Sequence, residues 1–244
     1  MMTAFKFNIQ PLGQHALLIN WPEKVDEAIL IEMLRLRDIL ISEGYDAPRW
    51  DIVMAYRSLA LVSNTGPISY LTEKSKMESY ISRARENGKI TSNRWYLPVC
   101  YHEDFALDLD QVCDNLSLSS DALIKLHTST NYIVYGIGFV PGFMYLGGLP
   151  EQLETQRRDH PRPMVLQGSV GLAGKQTGIY PQNSPGGWNI IGNCPIPIFS
   201  LAVDPPCFVS VGDQIRFYAI SKAEHELRKI EAEVGVYNLK SEAV

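Results

Sequence analysis

Residues 131–150, NYIVYGIGFVPGFMYLGGLP, and residues 168–192, GSVGLAGKQTGIYPQNSPGGWNIIG, govern how this chain folds. Twelve of its 18 glycines fall between Gly136 and Gly192, and the prolines there stand beside aromatics. Glycine opens positive φ and close backbone approach, whereas proline fixes φ and removes a donor. Such a stretch makes short strands and tight turns, not helices. No charged residue occurs from Gln176 to Val203. Uncharged loops of amides, hydroxyls and aromatics suit a small-molecule pocket or a dry subunit interface, and equally a tightly turned barrel.

Around these blocks, Tyr132–Phe139, Gly168–Ala173, Gln176–Tyr180, Trp188–Ile191, Ile198–Val203 and Gln214–Ile220 read as strands, an all-β barrel or sandwich. Ser119 or Ser120 caps a helix through Leu126, and Ser221 with Glu224 forms a capping box for a last helix over Lys222–Glu231. The residues after it read as a frayed tail. Toward the N-terminus, Phe5–Ile9 and Ala16–Ile19 form a hairpin. A helix opens at Pro22 and Glu23 and closes at Gly44, with Ile29, Met33, Leu36 and Leu40 on one face. Strands Asp51–Ala55 and Ser58–Ser63 follow. A second helix runs from Tyr70 to Asn87, with Leu71, Met77, Ile81 and Ala84 inward and Gly88 as its stop. Arg94–Cys100 is another strand. Strand, helix, strand, strand, helix, strand is the split βαβ order of ferredoxin-like domains. The expected fold is therefore α+β, with a small ferredoxin-like domain over 1–97 and a β-barrel domain with a C-terminal helix over 98–244.

The chain has 244 residues, enough for two cores, and a formal net charge of -5. That balance argues against nucleic acid, which favours a basic face. The N-terminus lacks an apolar run ending in a cleavage site, and the uncharged run 131–150 is too rich in glycine, proline and tyrosine for a membrane span. Cys100, Cys113, Cys194 and Cys207 show neither C-x-x-C nor zinc-finger spacing. Free thiols and a cytoplasmic location follow as expectations, and no metal site is evident.

Several local patterns carry chemistry or fail to. Gly174 and Lys175 fit a P-loop, but Gln176 stands where its Ser or Thr belongs and Ser169 where its first glycine belongs. His102, Glu103 and Asp104 are adjacent, so they do not converge on a metal without a turn. His127 ends an apolar helix, as a structural cap or as a general acid or base. Arg157, Arg158, His160 and Arg162 form a basic patch, a solvated loop or a bidentate anion clamp. Trp188 is core, or a stacking wall at a pocket mouth.

Three blocks carry a family resemblance. They are Gly138-Phe139-x-Pro141-Gly142-Phe143-x-Tyr145-Leu146; Gly168-Ser169-Val170-Gly171-x-Ala173-Gly174-x-Gln176-Thr177-Gly178-Ile179-Tyr180-Pro181; and Ser184-Pro185-Gly186-Gly187-Trp188 with Ile191-Gly192. With Ala55-Tyr56-Arg57-Ser58-Leu59 and Leu126-His127, they resemble the Kip-type kinase inhibitor and allophanate hydrolase subunit 1 family, which includes the B subunit of bacterial 5-oxoprolinase. The resemblance implies a cyclophilin-like barrel. It implies ATP-dependent opening of 5-oxo-L-proline to L-glutamate, together with the A subunit and the homologous C subunit, with little activity alone. ATP is then a requirement of the complex. The family's alternatives are a binding protein that inhibits a sensor histidine kinase, and the carboxyltransferase-like half of a biotin-dependent urea carboxylase. On motif position, His127, Gln176 and Tyr180 are the candidate catalytic residues; Arg162, Thr177 and Trp188 are the candidate substrate-binding residues. The pattern departs at Asn193, where the family has Arg, at Leu166 after Val165, and at Gln156 before Arg157-Arg158.

Overall fold

The computed structural model describes residues 5–86 and 90–244, which form two compact units, 1–91 and 92–244. The expected stop at Gly88 lies outside the described residues.

In the first unit, β1 (Asn8–Leu12) and β2 (Ala16–Asn20) form the expected hairpin, with Ile9 opposite Ile19. Strand β1 begins later than read and runs through Pro11. It lies beside β2 at the outer end of this sheet, where a missing N–H costs little. Helix α1 (Glu27–Ser42) starts after Asp26, not at Pro22, because the Asp26 carboxylate accepts the Ala28 N–H at 2.8 Å. Then come β3 (Trp50–Ala55), β4 (Ser58–Ser63) and α2 (Tyr70–Glu86). Met77, Ile81 and Ala84 are fully buried as expected, but Leu71 is 75% exposed, at the start of the helix and off that face.

The sheet of this unit runs β1-β2-β4-β3, every pair antiparallel. Strand β4 sits between β2 and β3, which is the split βαβ arrangement. The other flank of β2 is taken by β1. The strand read as Arg94–Cys100, β5 (Asn93–Cys100), belongs to the second unit and pairs parallel with a strand near the C-terminus. A domain boundary at residue 97 would cut β5 in two.

The second unit continues with α3 (Leu109–Leu116), α4 (Ser120–Ser129), β6 (Asn131–Ile137), β7 (Met144–Gly147), β8 (Arg162–Val165), β9 (Ser169–Ala173), β10 (Gln176–Ile179), β11 (Ser184–Gly186), β12 (Asn189–Asn193), β13 (Gln214–Ile220), α5 (Lys222–Glu233) and β14 (Ser241–Ala243). Seven strands close on themselves in the order β6-β13-β5-β12-β9-β10-β7, with β7 returning to β6; only β5–β13 is parallel. Closure removes exposed edges. Strands β8 and β11 form a separate two-stranded ribbon. The region Ile198–Val203 is not a strand. It holds one bridge, Phe199 to Cys207, because the prolines at 195, 197, 205 and 206 withdraw ladder donors. The tail is not frayed either, since β14 pairs antiparallel with the start of β5. The capping box is present in full: Ser221 Oγ accepts from Glu224 N–H, and the Glu224 carboxylate accepts from Ser221 N–H.

Strand alternation divides the barrel wall into two faces. Val170, Leu172 and Ile179 point inward with Leu97, Val99, Val134, Leu146, Ile215 and Phe217. On the other face Ala173, Tyr180 and Ile190 join Phe143, Val165 and Trp188 in a second apolar layer.

Candidate functional site

Helix α4 carries His127 into the inner core, where it is fully buried. Its ring lies 4.7 Å from that of Phe217, nearly parallel at 9°. Thr177 Oγ1 donates to the Gly171 carbonyl at 3.0 Å, so toward His127 Nε2, 3.0 Å away, it accepts. The imidazole proton therefore sits on Nε2, and Nδ1 accepts from the Tyr101 hydroxyl at 2.7 Å. One chain of hydrogen bonds runs Tyr101, His127, Thr177, Gly171, with every member satisfied. A charged imidazolium would place two N–H donors in this sealed site. Burial accordingly lowers the His127 pKa to about 3. His127 is thus a neutral member of the core, which corrects its assignment as an acid or base; Thr177 is its partner and makes no contact with solvent.

The next residue of β10, Gly178, faces the opposite way, opposite Gly171 on β9. Trp188 lies across these two glycines. A Cβ on Gly171 would meet Trp188 Cβ at 3.0 Å, and one on Gly178 would meet the Met144 carbonyl at 2.8 Å and the indole at 3.0 Å. Phe143 packs edge-on against Trp188 at 5.3 Å and against Tyr180 at 5.5 Å. Trp188 and Tyr180 are 4% and 2% exposed. They are a packed aromatic layer, not the mouth of a pocket, and burial pushes the Tyr180 hydroxyl pKa up. Gln176, at the start of the same strand, is half-buried and remains the accessible polar side chain of the motif.

Arg162 is committed elsewhere. Its guanidinium grips Asp108 bidentately, at 2.9 Å and 2.6 Å, and Arg158 adds a bond of 2.7 Å. Asp108 is 3% exposed and also accepts the Ile190 N–H at 2.6 Å. One carboxylate thus ties the approach to α3, the 158–162 segment and β12 together. This corrects Arg162 as a free clamp for a substrate carboxylate. Arg157 and His160 on the same segment are exposed. His102, Glu103 and Asp104 are exposed too; Asp104 pairs with Lys222.

A groove of about 730 Å³ opens between the outer side of β5 and β13 and the segment that follows α5. Tyr96, Arg216, Tyr218, Arg228, Tyr237 and Lys240 are among its lining residues, and none of the motif residues above is. Arg228 is matched by Glu231 at 2.8 Å. Arg216 bonds Asn131 Oδ1 at 3.2 Å, and the Lys240 ammonium lies 4.9 Å over the Tyr96 ring. Among the described residues neither has a carboxylate partner within ion-pair distance. Of the three phenols beside them, Tyr96 donates to Glu242 at 2.7 Å and Tyr218 and Tyr237 bond each other at 3.3 Å, and Glu231 also lines the groove. Sequence reasoning missed this groove because its walls are far apart in the chain; the signal available was the outward alternation of Gln214, Arg216 and Tyr218 on β13.

Comparison with known proteins follows the same outline. The family described as carboxyltransferase domain, subdomain C and D, matches residues 7–209. The 5-oxoprolinase B subunit of Bacillus subtilis is 30% identical over 237 residues, 93% of this chain and 98% of that one. The crystal structure of TTHA0988 is 30% identical with a TM-score of 0.73, over 84% of this chain and 40% of that chain. The Kluyveromyces lactis urea carboxylase, 18% identical, superposes with a TM-score of 0.79 over 99% of this chain and 24% of that chain, a likeness of fold. The chain therefore spans well under half of both solved chains.

Proposed function

The chain belongs to the carboxyltransferase domain, subdomain C and D, family, and on that footing we propose that it is the B subunit of an ATP-dependent 5-oxoprolinase, working with the A and C subunits. The observation that carries this reading is the match to a 5-oxoprolinase B subunit across 98% of that protein. Within the same reading the first unit is ferredoxin-like, with β1 in place of the last strand, and the barrel is cyclophilin-like.

ATP supplies the phosphoryl group that makes a resonance-stabilised ring amide open to water. This chain's own residues bind and position. Gln176 offers an amide donor at the rim of the outer layer. In the separate groove, Arg216 and Lys240 offer charge to an anion such as a phosphate. Tyr180 and Trp188 hold the wall on which Gln176 stands, and the neutral His127–Thr177 pair fixes that wall from inside. His127 is sealed away from solvent, so on this reading it supplies neither the acid nor the base.

The deciding experiment is co-expression with the A and C subunits, purification, and measurement of glutamate release from 5-oxoproline with and without ATP. ATP-dependent release that vanishes when this chain is omitted is expected, with Gln176→Ala lowering kcat and Arg216→Ala raising KM, each about tenfold or more. Equal release without this chain overturns the reading. A carboxyltransferase role, which the family's description favours, would instead show a biotinylated partner on co-purification.

A further inference from the structure

Helix α5 meets the barrel through His225, its buried residue, whose ring lies 4.2 Å from that of Phe105. At about 100° per residue, Ala223, Leu227, Ile230 and Val234 gather on the side opposite His225. Leu227 is 50% exposed, Ile230 57% and Val234 66%, and Ala223 is exposed with them. A helix lying on a core normally turns its apolar stripe inward and its charges outward. Here the stripe faces away from the barrel.

The spacing of the stripe is four, three, four, which is that of a heptad seam. The positions that flank such a seam are Glu224, Glu226, Glu231 and Glu233, acidic without exception. The cations of the helix, Lys222, Arg228 and Lys229, sit behind the seam, where Lys222 pairs with Asp104, Arg228 with Glu231 at 2.8 Å and Lys229 with Glu233 at 3.9 Å. Glu226 has no cation within ion-pair distance among the described residues. In a pairing with a second copy, parallel or antiparallel, flanking acids would meet flanking acids and repel. The charge pattern thus selects against self-association and for a partner of opposite flank.

We propose that the outer face of α5 is a docking seam for one amphipathic helix of another polypeptide, apolar along its own seam and flanked by lysine or arginine. The proposal stands whether or not the chain serves a 5-oxoprolinase. The probes are two designed three-heptad peptides with leucine at every seam position, one flanked by lysine and the other by glutamate, titrated against the full chain by fluorescence anisotropy. The lysine peptide should bind at least about tenfold more tightly than its twin. Added salt should weaken it, and Ile230→Lys or Leu227→Lys should cost at least about tenfold while thermal unfolding stays that of the wild type. Equal binding of both peptides, binding of neither, or indifference to both substitutions overturns the proposal. So does a dimer of the full chain that Ile230→Lys dissociates, because the stripe would then belong to a second copy.

Discussion

Among single residues, His127 shows how a side chain's surroundings settle its chemistry. Its ring is held between one donor, Tyr101, and one acceptor, Thr177. The folded pKa is depressed to about 3 from an ordinary 6.5. Above pH 6.5 both folded and unfolded chains hold the ring neutral, so the full stability is present. As pH falls below 6.5 the unfolded chain takes up a proton that the folded chain refuses, and stability declines until the pH nears 3. Between about pH 7 and pH 5 this one group should remove roughly 2 kcal/mol. Urea unfolding across that range should show the decline in the wild type and a shallower one in His127→Gln, which starts less stable. Identical slopes would mean that the ring is not sealed.

Between elements, Asp108 does for the outer layer what His127 does for the core. Arg158 and Arg162 reach it from a segment distant in the chain, and Ile190 N–H reaches it from β12. Replacing it by asparagine leaves two partly buried guanidinium groups short of a counter-charge. Asp108→Asn should therefore cost about 3 kcal/mol in chemical denaturation. Asp110→Asn, an exposed acid in the first turn of α3, should cost under about 1 kcal/mol. Similar losses for the two would remove Asp108 from its tying role. Much of the element structure was legible beforehand. The first five elements of the strand, helix, strand, strand, helix order, the α5 capping box and the β13 limits were written in local spacing, as was a serine cap at 119 or 120, which the structure places at Ser119, whereas the strand read as sixth belongs to the second unit. The start of α1 was misplaced because Pro22 is a helix-opening signal too, and only the Asp26 cap decides between them.

Across the chain as a whole, β5 shows where the second unit begins. Every residue from Arg94 to Cys100 has a β13 partner, and Asn93–Trp95 also pair with β14. A fragment of residues 92–244 keeps the closed barrel; a fragment of 98–244 loses half of the parallel pair that closes it. The first should unfold cooperatively by circular dichroism, and the second should show no cooperative transition. If both melt alike, β5 is dispensable to closure and the boundary expected from sequence was adequate.

Local spacing was enough to establish the glycine-rich strand-and-turn character of residues 131–192, the helices α1, α2, α4 and α5 apart from the start of α1, and the family, since each rests on neighbours a few residues apart; α3 was not read. Long-range packing had to show that His127, Thr177, Tyr180 and Trp188 are framework, that Arg162 is spent on Asp108, and that the cationic groove lies elsewhere. Accessibility and charge pairing depend on which distant segments meet, and in a closed barrel those meetings are set by strand pairing that no local pattern encodes.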